Sequence, residues 1–283
     1  MKHVFLIHAH KDLLQLNALL ARLADPDFAL YVHLDRKWRL DPAQVDPRAH
    51  QVRPRLDVRW GHFSQVAATL ASVRQVLARE AEFDKLFFLS GQDYPVLSNA
   101  ALKTAMAAFQ DRELIDCVPI GVDGWPADYR YRYFYGEGSS LPQRLACALA
   151  NRALRLVGRT RRLPGGLQPW GGSTWWTLSR PCLAHLLARI DAQPGLARFF
   201  RTVLCPDELF FQTLVMASSY AARVVACNFR YVQWPPGPAR NPQVLAEADF
   251  ERILASGAHF CRKLDSGSSA GLRARLDAHA GAA

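Results

Sequence analysis

No stretch of the chain reaches the roughly 18 consecutive apolar residues that a membrane-spanning helix needs. The start, "MKHVFLIHAHKD", turns polar too early for the apolar core of a signal peptide, so we expect a cytoplasmic protein. The six cysteines form no CxxC pair and show no zinc-ligand spacing with histidine. They therefore predict free thiols, and indicate neither a zinc site nor a disulfide framework.

Several short motifs that would assign a function directly are also missing. The sequence has neither GxGxxG after its first apolar run nor GxxxxGK[ST], so it carries no dinucleotide fingerprint and no P-loop. It has no GxSxG nucleophile elbow, which removes the commonest hydrolase interpretation of an α/β sheet. Internal repeats are absent. The small-residue tail after Ser266, residues 266–283, is expected to fray.

Acidic residues are absent from residues 138–190, although eight arginines fall there. Within this span, "LPQRLACALANRALRLVGRTRRL" alternates apolar and arginine positions at roughly helical spacing. The pattern fits either a solvated helix face or peripheral contact with an anionic membrane through the stretch from Arg144 to Arg162. The net charge of +10 and the pI near 9.6 also indicate anionic partners. Because no recognised nucleic-acid module accompanies this charge, we expect no nucleic acid among them.

The beginning of the chain alternates apolar strands with amphipathic helices. "HVFLIHAH", "FALYVHLD" and "DKLFFLSGQDYP" predict strands, whereas "KDLLQLNALLARLA" and "SQVAATLASVRQVLAREA" have helical spacing, the second opened by Ser64. This β-α-β-α-β order predicts a parallel sheet covered by helices. Ligands of such sheets bind beyond the carboxyl ends of the strands, which directs attention to "HAHK", "HLDRK" and "SGQDYP".

The second half of the chain is less regular and carries two aromatic stretches. "DGWPADYRYRYFYGEG", residues 123–138, is rich in turn formers and predicts a long surface loop of the kind that shapes a binding site. "LQPWGGSTWWTLSRP" holds three tryptophans, of which Trp175 and Trp176 suit a core. The two glycines beside Trp170 predict a backbone packed closely against something flat.

The stretch "LCPDELFFQTL", residues 204–214, sets Asp207 and Glu208 before an apolar run. With Cys205 near the N-cap and Pro206 at the first helical position, both acids suit the positive end of a helix dipole. A carboxylate in such a place can also act as a catalytic acid or base. The local pattern leaves both interpretations open.

Eight segments, spread over nearly the whole chain, form an ordered series: "HVFLIHAHKDLLQLNALLARL", "YVHLDRK", "RWGHFSQVAATL", "FFLSGQDYPV", "PWGGSTWWTLSR", "CPDELFFQTL", "FRYVQW" and "HFCRKLD". Together they resemble the core-2/I-branching N-acetylglucosaminyltransferases and peptide O-xylosyltransferases of glycosyltransferase family 14. The resemblance implies a GT-A-like single domain, an α/β fold whose mixed, mostly parallel central sheet is flanked by helices. UDP-sugar binding would fall in about residues 1–120, and acceptor binding and catalysis in about residues 121–265. The small size and Ala/Arg-rich composition suit a bacterial member.

By that resemblance, the chain transfers a sugar from a UDP donor with inversion at the anomeric carbon and without a divalent metal. The residues also indicate that no metal is bound. A GT-A metal site needs DxD after an apolar strand, whereas "KLFFL" is followed by "SGQD", with Asp93 alone. A literal DxD, Asp25 and Asp27, lies between the first helix and the second strand and is typical of a turn. His8 and His10 share a strand face without an evident third ligand. We expect no metal and no other cofactor.

The resemblance implies roles for five donor-binding residues. Lys263 of "CRKLD" and Arg240 of "PARNPQVL" match cations that neutralise the leaving diphosphate, a task that fixed charges can perform without a metal. Asp35 of "HLDRK" matches an aspartate that contacts the uridine, although taken alone it could cap its loop instead. Ile7 and His8, at the end of the first strand, should lie against the same moiety.

The resemblance also assigns the base and the acceptor side. The last glutamate of the family's "SPDE" element is the general base, so Glu208 of "CPDE" takes that role and Asp207 is the better candidate for starting the helix. Cys205 departs from the pattern and weakens the N-cap, because sulfur is a poor acceptor. Trp234 of "FRYVQW" matches a tryptophan that packs on the acceptor sugar, and Trp170 is a second acceptor-binding candidate.

These expectations describe a glycosyltransferase that moves GlcNAc or xylose from UDP-GlcNAc or UDP-xylose to a hydroxyl of a glycan, glycolipid or protein. The alternative is a catalytically inactive nucleotide-sugar or carbohydrate-binding protein on the same fold. "PPGPAR" follows Trp234 where the match with the branching enzymes ends, which leaves the acceptor open. The location would be cytoplasmic, either free or peripheral on the inner face of the membrane.

Overall fold

The computed structural model describes residues 2–121, 123–136, 141–237, 239 and 241–282. The chain forms two compact units, each assembled from separate stretches. Unit 1 comprises Met1–Arg55, Glu80–Arg112 and Asn228–Ala283, and unit 2 comprises Leu56–Arg79 and Glu113–Cys227. The predicted functional division near residue 120 stays a prediction.

The strands of the described chain are short. In chain order they are β1 (His3–Ala9), β2 (Phe28–Leu34), β3 (Ala49–Gln51), β4 (Lys85–Ser90), β5 (Asp93–Pro95), β6 (Glu113–Ile115), β7 (Val118–Pro119), β8 (Trp170–Gly171), β9 (Trp176–Ser179), β10 (Val224–Val225), β11 (Arg230–Val232) and β12 (Phe260–Arg262). The α-helices are α1 (Leu13–Arg22), α2 (Ser64–Arg79), α3 (Asn99–Ala108), α4 (Tyr129–Arg132), α5 (Leu141–Leu156), α6 (Arg180–Ala192), α7 (Pro194–Phe200), α8 (Phe210–Met216), α9 (Phe250–Ala255) and α10 (Ala270–Ala282).

A parallel sheet forms the centre of unit 1, with its strands in the order β3, β2, β1, β4. The middle of β1, from Val4 to Ile7, is fully buried, and the ring of Phe5 stacks on that of Phe87 with centroids 4.7 Å apart. Burying each such aromatic side chain contributes about 1.5–3 kcal/mol. The predicted β-α-β-α-β order is confirmed by the succession β1, α1, β2, α2, β4, with β3 added after β2.

A second sheet of unit 1 consists of β11, β12 and β5, in which β12 runs antiparallel to β5 and sets Arg262 opposite Asp93. Helix α1 begins at Asp12, whose carboxylate accepts the backbone N–H of Gln15 at 3.1 Å and that of Ser266 at 2.7 Å. One side chain thus caps the crossover helix and fixes the chain that follows β12.

The tail expected to fray is instead helix α10, so that prediction was wrong. Leu272 and Leu276, one helical turn apart, are fully buried. The hydroxyl of Tyr94 donates to Asp277 at 2.9 Å, and Arg273 donates to Gln15 at 2.6 Å. Two buried leucines together with these hydrogen bonds hold the small-residue segment in unit 1.

Unit 2 contains a mixed sheet in which β6 pairs with β10 in parallel and with β9 in antiparallel orientation. Glu113 of β6 is buried and accepts the N–H and the hydroxyl of Ser179 at 2.7 and 2.5 Å, and Ser179 in turn caps α6. Aromatic side chains fill the core of this unit, with the rings of Trp176 and Phe211 5.1 Å apart. Helix α2 begins at Ser64, as predicted.

The aromatic stretch at residues 123–138 is only partly the predicted surface loop. Within its described part lies α4, and Ala127 and Tyr131 are buried. Residues 137 and 138 fall outside the described residues. The stretch therefore contributes to the core of unit 2 as well as to its surface.

Parallel pairing prevails among the described strands, and α-helices lie between β1 and β2, β3 and β4, β5 and β6, β7 and β8, β9 and β10, and β11 and β12. The predicted fold class, an α/β protein with a mixed, mostly parallel sheet flanked by helices, is confirmed. Of the helices that the structure describes, none combines the length and the apolar character needed to cross a bilayer.

Candidate functional site

The carboxyl ends of β1, β2 and β4 form one edge of the parallel sheet in unit 1, and three of the predicted donor-binding residues, His8, Asp35 and Lys263, lie there. His8 lies opposite His33 on β2 and Ser90 on β4. Its ring centroid is 4.9 Å from that of His33, and burial holds the pKa of His8 well below its usual range. Burial likewise lowers the pKa of His33 to about 4. Both rings are therefore neutral near pH 7.

Ile7 has a fully buried side chain on β1. Ile7 therefore packs in the core beside His8 and does not expose its side chain to a ligand. Ile7 and His8 were predicted together as donor-binding residues. Because successive side chains of a strand point to opposite faces of the sheet, the two side chains do not share a face.

Asp35 follows β2 and is held by its own loop. Its N–H donates to the carbonyl of Ala9 at 2.8 Å, which joins the ends of β1 and β2. Its carboxylate accepts the N–H of Lys37 at 2.8 Å and the ammonium of Lys37 at 3.0 Å. The guanidinium of Arg55 donates to the carbonyl of Asp35 at 2.7 Å. Asp35 therefore caps this loop, and the same contacts hold it at the edge where a ligand of the sheet would bind.

Lys263 follows β12 at the same edge. The N–H of the next residue, Leu264, donates to the carbonyl of Gln92 in the turn after β4 at 2.9 Å, and the ammonium of Lys263 donates to Asn241 at 2.9 Å. Burial and the neighbouring cations Arg262 and Lys11 lower the pKa of Lys263 to about 8. A lysine with this pKa lies in surroundings short of anions.

Charges of the same edge also act on His10, whose pKa is lowered by burial and then by Lys11, with smaller effects of Asp35, Lys263 and Lys37. The structure therefore brings Asp35 and Lys263 into one mostly cationic neighbourhood in unit 1. Arg240, the second cation predicted for the diphosphate, lies outside the described residues. Trp234, predicted to contact the acceptor, follows β11 and is 57% exposed.

Asp93, the single acid of "SGQD", is fully buried and serves as a counter-ion. One carboxylate oxygen accepts the N–H of Ser90 at 2.6 Å, and the other lies 3.5 Å from Arg230 Nε and 3.4 Å from Arg262 Nε. Burial lowers the pKa of Arg262 to about 10, although Asp93 acts to raise it. This cluster, which sequence reasoning missed, fixes the backbone immediately before Lys263.

The literal DxD also has its partners. Asp25 and Asp27 lie in the turn between α1 and β2, and Lys103 donates to them at 3.1 and 2.9 Å. Over the residues that the structure describes, His, Cys, Asp and Glu side chains do not form a group of three that could hold a metal ion.

In unit 2, the "CPDE" element forms a single 3₁₀ turn over Pro206–Glu208, and α8 begins only at Phe210. Cys205 precedes the turn in the left-handed region, with φ of 48° and no side-chain cap, and its N–H donates to the carbonyl of Gly61 at 3.0 Å. Burial, followed by Asp207 and Glu208, raises the pKa of the Cys205 thiol to about 12, so it stays protonated. The predicted position of Pro206 is confirmed, but the turn is not the first turn of α8.

Glu208 is partly exposed and forms an ion pair with Arg130. Its carbonyl accepts the N–H of Gly172 at 3.0 Å, which ties the turn to the glycines after β8. The guanidinium carbon of Arg130 lies 4.4 Å from the ring centre of Trp125. Although burial acts to lower the pKa of Arg130, its hydrogen bonds to Glu208 and Tyr129 raise it. Arg130 thus holds one oxygen of the carboxylate, Oε2, in a fixed position.

Asp207 lies in the first turn of this 3₁₀ helix and not in α8, and its side chain turns into the core of unit 2. One carboxylate oxygen accepts the hydroxyl of Thr174 at 2.7 Å and the amide of Gln65 at 3.1 Å. Gln65 in turn accepts the N–H of Gly61 at 2.7 Å. Burial and the charge of Glu208 raise the pKa of Asp207 to about 6. Asp207 is therefore a buried cross-link that positions the turn carrying Glu208.

The flat group predicted beside Gly171 is the ring of Trp125. A Cβ atom built on Gly171 would meet two ring carbons of Trp125 at 2.6 Å, so only glycine fits there. Trp170 is half-buried, and its backbone N–H and carbonyl both bond to the hydroxyl of Thr213 at 3.1 Å. Trp176 belongs to the core, as predicted.

Arg130 is the functional candidate that sequence reasoning missed in unit 2. Its only signal was the mixture of arginines and aromatic residues at 123–138, in which Trp125 precedes it. The partner, Glu208, lies 78 residues away, so the pairing depends on the tertiary fold.

Comparisons with known proteins agree with the resemblance seen in the sequence. Xylosyltransferase oxt of Drosophila pseudoobscura pseudoobscura is 26% identical over 233 residues, which are 79% of this chain and 25% of that protein. Beta-glucuronosyltransferase GlcAT14B of Arabidopsis thaliana is 25% identical over 203 residues, 71% of this chain and 45% of that protein. Xylosyltransferase 1 of Homo sapiens is 26% identical over 228 residues, 78% of this chain and 22% of that protein.

The chain thus spans less than half the length of each of these relatives, all of which are glycosyltransferases by name. The model of the core-2/I-branching enzyme family matches residues 4–254, which is most of the chain. The chain therefore belongs to the core-2/I-branching enzyme family.

Proposed function

We propose that the chain is an inverting glycosyltransferase that moves a sugar from a UDP-sugar to an acceptor hydroxyl. The proposal assigns donor binding to the cationic edge of unit 1 and proton transfer to Glu208 in unit 2. Membership of the family and the sugar transferases among its relatives support it. The observation that carries it is the ion pair of Glu208 with Arg130 on a turn that Asp207 fixes from inside.

Glu208 would act as the general base. In an inverting transfer, the acceptor hydroxyl gives its proton to the base while its oxygen bonds to the anomeric carbon. The bond from that carbon to the diphosphate breaks on the opposite face, and UDP leaves with the electron pair. A base must be held in place while it takes the proton, and the ion pair with Arg130 fixes the position of this carboxylate. Since Arg130 contacts Oε2, Oε1 would be the atom that takes the proton.

Lys263 would neutralise the leaving diphosphate, together with Arg240. A bound diphosphate supplies the anion that the surroundings of Lys263 lack, so binding would raise its lowered pKa and keep it charged. Asp35 and His8 would contact the uridine part of the donor from the ends of their strands. Two backbone contacts support these assignments. The contact of Asp35 with Ala9 anchors Asp35 to the sheet edge, and the contact of Leu264 with Gln92 anchors the neighbouring Lys263 there.

The transfer would not require a divalent metal. The carboxylate that follows β4, Asp93, faces two arginines, and the DxD carboxylates both pair with Lys103. Fixed cations near a leaving group can supply the stabilisation that a metal gives elsewhere.

GlcNAc and xylose remain the proposed donor sugars, and the name of the Arabidopsis relative adds glucuronic acid to the panel that should be tested. The acceptor would be a glycan, glycolipid or protein, and Trp234 and Trp170 are each proposed as acceptor-binding residues. The exposure of Trp234 and the close backbone packing beside Trp170 suit the two residues for contact with a sugar face.

The test is a panel of UDP-GlcNAc, UDP-xylose and UDP-glucuronic acid, each offered with a mixed acceptor library in the presence and absence of EDTA. UDP release and a mass increase of the acceptor by one sugar are the readouts. We expect transfer from one donor that EDTA leaves undiminished. Loss of transfer with EDTA would contradict the metal-free proposal. Tight UDP binding without transfer from any donor would favour the inactive sugar-binding alternative.

A further inference from the structure

Helix α5 presents a row of leucines to solvent. Leu141, Leu145, Leu149 and Leu156 recur at helical spacing on one face and are 66%, 54%, 67% and 78% exposed. No residue of α5 is buried. A folded chain normally buries at least one stripe of such a helix, so this apolar face lacks a cover among the described residues of unit 2.

The other face of α5 fixes how the helix is oriented. The side chain of Asn151 accepts the N–H of Phe134 at 2.7 Å and donates to its carbonyl at 2.9 Å. The guanidinium carbon of Arg155 lies 5.1 Å from the ring centre of Tyr133. These contacts hold the inner face against residues 133–136, so the leucine row stays outward.

Positive charge accompanies the leucine row and acidic residues are missing. Arg144 and Arg152 are exposed on α5, and Arg159 and Arg162 are exposed just beyond it. Arg161 is different, since it donates to the carbonyls of Tyr133, Thr202 and Phe199 and stabilises the interior. No acid occurs between residues 138 and 190, so α5 itself and the stretch that follows it carry charge of one sign.

We infer that α5 docks on the surface of an anionic phospholipid bilayer, with its leucines among the acyl chains and its arginines among the lipid phosphates. An apolar stripe beside arginines is the pattern of a helix that lies in the membrane interface. A second copy of the chain fits this face poorly, because it would bring the same arginines against one another. The inference stands apart from the proposed sugar transfer, because it uses none of the residues assigned to that reaction.

The residues that hold α5 belong to the segment that also carries Arg130, the partner of Glu208. Docking would therefore also restrain the segment that carries Arg130. An acceptor anchored in the same bilayer would then be confined to the membrane surface on which the enzyme is bound.

The experiment is co-sedimentation of the full chain with vesicles of phosphatidylcholine, with and without phosphatidylglycerol at about 30% of the lipid. On such an anionic surface, each Lys or Arg near the lipid adds about fivefold to binding. The first variant, Arg144→Gln with Arg152→Gln, should weaken binding to the anionic vesicles about thirtyfold. The second, Leu145→Gln with Leu149→Gln, should weaken it as well. The matched control, Arg79→Gln with Arg198→Gln, removes two charges from exposed positions of α2 and α7 and should change binding less than about twofold.

Failure of the wild-type chain to sediment with the anionic vesicles would overturn the inference. So would an equal loss of binding in the matched control, since the effect would then depend on net charge alone. A dimer in light scattering that the two leucine substitutions abolish, without vesicle binding, would assign the face to a second copy and overturn it too.

Discussion

Lys263→Ala should weaken UDP binding roughly 10- to 150-fold at pH 7. The proposal gives this ammonium a charge-assisted contact with the diphosphate, and such contacts contribute about 1.5–3 kcal/mol. The neighbouring cation Arg262 is occupied by Asp93 and cannot replace it fully. Isothermal titration calorimetry with UDP measures the loss directly, without knowledge of the acceptor.

The pKa of Lys263 gives the same prediction a pH dependence. With a pKa of about 8, the ammonium is about nine-tenths protonated at pH 7 and about one-tenth protonated at pH 9. Because only the charged form attracts the diphosphate, wild-type affinity for UDP should fall about tenfold between these pH values. At pH 8, binding should take up about half a proton, seen as a difference between buffers of unlike ionisation enthalpy. Lys263→Ala should show neither effect.

Lys2→Ala is the matched control for this change. Lys2 is also a half-exposed lysine of unit 1, but it pairs with Glu80 and precedes β1, so it lies at the opposite edge of the sheet. Equal loss of affinity in Lys2→Ala would mean that net charge, rather than the position of Lys263, attracts UDP. Wild-type affinity that does not change between pH 7 and pH 9 would refute the assignment.

Three further predictions concern the supports of the site. With its raised pKa of about 6, Asp207 holds its proton more tightly in the native state than in the unfolded chain, so the wild type should lose up to about 2–3 kcal/mol of stability as the pH rises from about 4 to 6. Asp207→Asn, which cannot ionise, should not show this loss. Urea unfolding of both proteins over this pH range measures the difference. Gly171→Ala should cost about 1–3 kcal/mol and lower the melting temperature by overpacking against Trp125, whereas Gly195→Ala, with open space around its Cβ, should not. Trp234→Ala should raise the KM for the acceptor and leave UDP affinity unchanged, as initial-rate kinetics and calorimetry can establish.

Strong local patterns predicted the early elements of the fold well. β1, α1, β2, α2 and β4 all lie where apolar runs or helical spacing placed them, because the sequence alone displays the apolar residues that each element buries. The tail was misjudged for the opposite reason: Leu272 and Leu276 are the two buried leucines of α10 and stand among small residues that resemble a low-complexity end, while its polar contacts with Tyr94 and Gln15 depend on the tertiary fold.

The candidate site was predicted in its outline but not in its supports. Glu208, Asp35 and Lys263 came from motifs, yet the contacts that hold them join distant segments. Arg130 reaches Glu208 across 78 residues, and Gln65 reaches Asp207 across 142. Such pairs depend on which elements the fold brings together, and neither spacing nor composition encodes that. The role of Asp207 was missed because a carboxylate at the start of a turn and one directed into the core have the same local sequence.

The most direct test of the central claim is the turnover of Glu208→Gln with the donor and acceptor that serve the wild type best. Glutamine keeps the shape of the side chain but cannot take the acceptor proton, so kcat should fall about 10²- to 10⁴-fold. UDP affinity should stay within about twofold of the wild type, since the substitution lies outside the residues assigned to the donor. The exposed Glu82→Gln is the control and should retain full turnover. Turnover of Glu208→Gln within a few-fold of the wild type would contradict the account.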